Sequence, residues 1–151
     1  MPNLALLLNV GMPWISTVGR NVLAALVKRH GYPGPADLFA ASVGIRNRYQ
    51  LGRILQREGL PCLEELAGWI RLLNWVTSWE NSGVPLSRSA LSSLRDPSPM
   101  FRLVERLTGQ TWTQVRSLGS EWVFLQLLER CRRGAELQDN ATSGDQASGI
   151  A

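Results

Sequence analysis

Histidine, lysine and cysteine are nearly missing from this chain, and each scarcity excludes a class of function. The one histidine is His30. No Ser-His or Cys-His pair with a third orienting group can be assembled, so a hydrolase of that kind is excluded. His30 stands beside Gly31 at a helix end, where capping is its expected role. The two cysteines, Cys62 and Cys131, lie far apart, with neither a CxxC nor a neighbouring His pair. They make neither a zinc site nor a disulfide framework and read as reduced cytosolic thiols. The apolar run "LALLLNV" is too short to span a bilayer and lacks a basic n-region and a small-residue cleavage site. A cytoplasmic location is therefore expected, with no membrane partner. "GYPGP" has no Lys or Ser and is no phosphate loop. Glu64 and Glu65 follow Pro61 at a helix start, where they suit the helix dipole better than acid–base work. The expectation is a protein that is not an enzyme and carries no cofactor and no metal.

Lysine is replaced almost wholly by arginine, since fifteen of the sixteen basic residues are Arg and only Lys28 is not. The formal charge is +4, but residues 134–151 hold Glu136, Asp139 and Asp145 and no base, which leaves the rest at +7. Arg offers a planar fork of donors suited to phosphate oxygens and guanine edges. A polyanion partner is consistent with this balance. At 151 residues and 44% hydrophobic, the chain can bury one full core or two small ones sharing a helix.

Almost every segment reads as helix, and no alternating β-branched run is present, so the fold class is all-α. Ile15, Val18, Val22 and Leu26 predict a helix over about Pro13 to Arg29, ended by Gly31 and "YPGP". Pro35 then suits the start of a short helix, Ala36 to Val43, closed by Gly44. A turn at Ile45 to Asn47 leads into a second helix that Gly59 and Pro61 stop after Glu58. A long helix, about Leu63 to Ser82, keeps a seam of Leu63, Leu66, Ile70, Leu73 and Val76. Leu86 to Leu94, the break "RDPSP" and Pro99 to Leu107 form another pair, with Met100, Leu103, Val104 and Leu107 facing in. A last helix, Thr113 to Arg133, carries Val115, Leu118, Trp122, Leu125 and Leu128, and the polar tail after it is expected to be disordered and dispensable. The six tryptophans fit core packing and hinge filling better than base stacking.

The stretch "ASVGIRNRYQLGRILQREGLP" holds Arg46, Arg48, Arg53 and Arg57 and only one acid, Glu58. At 100° per residue, Arg46, Gln50, Arg53 and Arg57 fall within about 60° of one another, opposite Leu51, Ile54 and Leu55. Two short helices, a Gly-bearing turn, an apolar back and a cationic front predict a helix-turn-helix unit. Arg46 and Arg48 near the helix start could take guanine O6 and N7, while Arg53 and Arg57 suit phosphate. With the later pair, the layout is two helix-turn-helix units on one linker helix, able to enter successive major-groove segments about 34 Å apart.

These residues carry a resemblance to a known family. "GIRNRYQLGRILQREGLPCLEELAGWIRLL" followed by "PLSRSALSSLRDPSPMFRLVERLTGQTWTQVR" resembles the AraC/XylS-type DNA-binding domain, over about Pro35 to Arg116. "LGRILQREG" matches the end of the first recognition helix, and "FRLVERLTGQTWTQVR" the second helix with its closing Thr-Gly and final Arg. The resemblance implies binding to double-stranded promoter DNA and control of transcription. Arg46, Asn47, Arg48, Tyr49, Gln50 and Arg53 would face the groove, and Arg95, Arg102 and Arg106 would follow from the second unit. Three features depart from the family pattern. The first turn is one residue longer, "SSLRDPSP" lacks the turn glycine, and Trp112 stands where Pro is usual. Glu105 sits between Arg102 and Arg106, so base readout is expected mainly from the first unit. The organisation implied is a helical extension over 1–34, units over 35–61 and 84–133, a linker over 62–83 and the tail over 134–151. The extension is too short for a ligand-sensing domain, so no small-molecule effector is indicated. Activation would need contact with RNA polymerase. An alternative function also follows from the residues. The seam from Leu63 to Val76, or "LALLLNV", could dock a protein partner or form a homodimer, on a scaffold with little specific DNA binding.

Overall fold

The computed structural model describes residues 4–82 and 98–150, the last ten by backbone alone. The described residues form eight helices and no strand. In chain order these are α1 (Leu4–Gly11), α2 (Thr17–Lys28), α3 (Ala36–Ser42), α4 (Arg48–Arg57), α5 (Leu63–Ser82), α6 (Ser98–Thr108), α7 (Trp112–Leu118) and α8 (Ser120–Ile150). Among them no helix is long and apolar enough to cross a membrane. The expected helix at 86–94, the break after it and Arg95 lie outside the described residues.

α5 is the axis of the molecule. It packs against α2, α6, α7 and α8, so its apolar residues are covered on more than one side. Leu66, Ile70, Leu73 and Val76 of the seam are buried, as are Trp69, Leu72 and Trp75 off it. The seam is core, and none of its fully buried residues is open to a docking partner.

Short polar devices set the helix ends. α2 starts at Thr17, four residues later than the periodicity predicts. Ser16 is the cap, and its hydroxyl accepts from the Gly19 N–H at 3.2 Å. Val18, expected on the core face, is exposed, while Val22, Leu23 and Leu26 are buried. At the other end His30 takes a left-handed conformation (φ 55°). Its N–H reaches Val27 O, and that of Gly31 reaches Leu26 O, so His30 closes the helix through its backbone.

Three features towards the ends of the chain add to the expectations or depart from them. The apolar N-terminal run is itself a helix, α1, which lays Leu8 into the core against α2. The last expected helix is two. Gly119 (φ 96°) breaks it, and Glu80, at the end of α5, accepts from the Ser120 N–H and hydroxyl, both at 2.7 Å. A carboxylate thus caps the start of α8. The break resets the helical phase. Val123, Leu127 and Cys131 are buried, while Leu118 and Leu125, expected to face in, are exposed. The third feature is a correction to the tail. α8 continues past Arg133 to Ile150, where disorder was expected. Just beyond Arg133 the helix crosses the end of α4 so closely that a Cβ on Gly134 would stand 2.0 Å from Gly59 O. Two glycines make that approach feasible.

Candidate nucleic-acid interface

Local chemistry aims α4 before any partner is considered. α3 ends in the same hydrogen-bonded cap as α2. Gly44 (φ 76°) donates to Ala41 O and Ile45 to Ala40 O, and the buried Ile45 pins the turn to the core. Three backbone N–H groups at the start of α4 then meet side-chain acceptors. Asn47 Oδ1 accepts from the Gln50 N–H, Gln50 Oε1 from the Arg46 N–H, and Asp37 Oδ1 of α3 from the Arg48 N–H, each at 2.9 Å. Asn47 and Gln50, expected to face a groove, therefore spend their side-chain oxygens as caps. Only the Gln50 amide N–H groups and the Asn47 amide N–H groups remain for an outside acceptor.

The arginines divide into three settings. Arg46 and Arg53 line one shallow hollow of about 260 Å³ with Asn47, Tyr49 and Gln50, which brings five of the expected residues together. Arg48 lies outside it. Its guanidinium donates to the Tyr49 hydroxyl at 2.9 Å and stacks 4.9 Å from the ring centroid. The Tyr49 hydrogen bond, and then Asp37, push its pKa further above the usual arginine value. The pair is a flat, solvent-facing cation, with Tyr49 66% exposed. Arg57 faces elsewhere, onto a notch with Val18, Ile54 and Glu58. Glu58 itself turns back into the fold, where Oε1 accepts from the Ser16 N–H at 2.6 Å and ties the end of α4 to the start of α2.

On α6, Arg102 and Arg106 are exposed and Met100, Leu103 and Val104 face the core, as the spacing predicts. Glu105 is exposed beside them. Arg102 and Arg106 share a hollow of about 490 Å³ with Arg71 of α5. Arg71 was not anticipated. It interrupts the apolar α5 segment "GWIRLLNW", and that interruption is the signal that could have marked it. Its guanidinium lies 5.2 Å from the Tyr32 ring centroid, and burial lowers its pKa from the usual arginine value.

Pairing separates these arginines from those of α8, and Arg20 on α2 is likewise exposed without a partner among the described residues. Among the described residues, the side chains of Arg46, Arg53, Arg57, Arg102 and Arg106 meet no carboxylate, carbonyl or ring. On α8, by contrast, Arg130 pairs with Glu65 at 3.1 Å, and Arg132 with Glu129 at 2.6 Å and with Glu136. Arg116 stacks on Trp79. The tryptophans largely fill the core: Trp69, Trp75 and Trp112 are buried, and Trp14 is the exposed exception.

No family model matches the chain, and no curated protein or solved structure does either.

Proposed function

We propose that this protein is a sequence-specific, double-stranded DNA-binding regulator of transcription with two helix-turn-helix units of the AraC/XylS type. α3 and α4 would be the first unit, α5 the linker, and α6 the recognition helix of the second. The observation that carries the reading is the pairing contrast. Five arginines on α4, its leading turn and α6 are left without partners among the described residues, as is Arg20 on α2, while those on α8 are neutralised within the chain. Polyanion contact would give the unpaired set its acceptors.

Roles follow from position. Arg46 and the Arg48–Tyr49 pair stand at the start of α4, where a recognition helix reaches base edges, and each good bidentate contact to guanine discriminates by about 1–3 kcal/mol. Arg53, Arg57, Arg102 and Arg106 would hold phosphates, which fix register without specifying sequence. Such a regulator would act in the cytoplasm. It would repress by occupancy or activate through RNA polymerase.

The test is a salt titration of duplex binding by fluorescence anisotropy. Four phosphate contacts give a slope of about −3.6 in log K against log salt, a loss of roughly 150-fold between about 50 and 200 mM. Arg53→Gln should make that slope shallower by about 1 without changing sequence preference. A slope near zero would defeat the reading. It would favour the second one, a protein-interaction module or homodimer, for which the supporting observation is the exposed apolar surface of Leu6, Val10 and Trp14 on α1 and the turn after it.

A further inference from the structure

The hollow between α5 and α6 joins two arginines that the DNA reading uses, Arg102 and Arg106, to a third that it does not, Arg71. Arg71, Arg102 and Arg106 line it together, and no ion pair neutralises any of them among the described residues. Arg71 Nε is buried and has no hydrogen-bond partner. A desolvated guanidinium N–H without an acceptor is unfavourable; the fields of Tyr32 and Glu64 partly offset that burial, and the like charge of Arg106 adds a smaller repulsion. The remaining lining is apolar or aromatic, from Tyr32, Trp75 and Leu103 among others, with Trp75 and Leu103 themselves buried. At about 490 Å³ the hollow falls within the size range of small-molecule sites.

We propose that this hollow binds a small organic phosphate of nucleotide size, its phosphate accepting from Arg71, Arg102 and Arg106 and its body lying along Tyr32, Trp75 and Leu103. A carboxylate would answer one of the three guanidiniums. A phosphate monoester carries about −1.5 to −2 charge and three acceptor oxygens, so it can take N–H groups from several forks at once. The aromatic and aliphatic lining suits a flat organic body, and neither part alone would use the whole hollow. The site stands independently of whether α4 reads DNA. If both hold, the ligand would occupy Arg102 and Arg106 and compete with backbone phosphate at the second unit.

The experiment follows the Arg Nε–Hε resonances of the full chain by NMR, with calorimetry alongside. The probes are adenosine monophosphate, inorganic phosphate, adenosine and a short DNA duplex. Adenosine monophosphate should shift the Arg71 Nε–Hε signal and bind more tightly than either phosphate or adenosine. Arg102→Gln and Arg71→Met should each weaken it by at least about tenfold, the loss expected for a charge-assisted contact. Arg53→Gln on α4 should leave it unchanged. Thermal melts of the variants establish that each is folded. An unmoved Arg71 signal at millimolar adenosine monophosphate would overturn the proposal, and so would an equal loss in Arg53→Gln, which indicates bulk charge attraction. If the duplex moves Arg71 and adenosine monophosphate does not, the hollow serves the DNA backbone and the small-ligand site is wrong.

Discussion

Replacing Gly134 by alanine puts the crossing of α8 over the end of α4 to a test in which the sign of the result decides. The new Cβ would stand 2.0 Å from Gly59 O and 3.0 Å from Gly59 C, against a closest approach of about 3.0 Å for real Cβ atoms. Both obstacles are backbone, so no flexible side chain can yield, and the two segments must part by about 1 Å. That movement pulls on a helix whose Val123, Leu127 and Cys131 are fully buried. Overpacking of this kind costs about 1–3 kcal/mol. Alanine recovers about 1 kcal/mol over glycine within a helix. The expected net loss is about 1 kcal/mol, or a fall in Tm of roughly 2–4 °C for a chain of this size. Gly52 is the internal control. It lies within α4, and a Cβ there meets nothing within 4 Å. Gly52→Ala should therefore stabilise by about 0.5–1 kcal/mol. The measurement is urea unfolding followed by circular dichroism on both variants. If Gly134→Ala also stabilises, residues beyond Arg133 do not pack on the α4 end, and the original expectation of a dispensable tail would stand.

Three further outcomes are expected. The exposed Cys62 should react with a thiol reagent in the native protein, while Cys131, fully buried, should react only on unfolding; two fast thiols would contradict the core around α8. Burial pushes the Cys131 thiol up to about 12 from an ordinary 9.0. Below about pH 9 both states keep the proton. From there to about pH 12 the unfolded chain ionises first, so stability should fall with rising pH, and Cys131→Ala should remove that part of the slope. Glu80→Ala removes both acceptors for Ser120 and should cost about 1 kcal/mol, as loss of a helix cap does, measured by thermal unfolding; no change would mean that the carboxylate does not hold the start of α8.

What could be read from the sequence depended on whether the deciding chemistry was local. α3, the turn and α4 were legible because Pro35, Gly44, Gly59 and the apolar back of α4 lie within one short stretch. The same stretch held the spacing Asn47-x-x-Gln50, a cap signature. The arginines around it drew both residues towards a groove instead. α8 was misread because its start depends on Glu80, forty residues away, and periodicity carried across Gly119 puts Leu118 and Leu125 on the wrong face. The tail was misread because composition marks glycine as a breaker, whereas Gly134 is the residue that lets two backbones meet. α1 escaped because an almost uniformly apolar run shows no helical period. Arg71 escaped because its significance lies in two arginines on another helix.

Selection of binding sites from randomised duplex DNA tests the central claim most directly. The selected duplex and a scrambled one would be titrated at several salt concentrations, with the wild type and with Arg46→Ala and Arg48→Ala. The account predicts an enriched motif bound at least about 10³-fold better than the scramble, a preference that loss of Arg46 or Arg48 erases, and a steep fall of affinity with salt. No enrichment and weak binding at every salt concentration would contradict it, and would leave the unpaired arginines of α4 as a solvated surface.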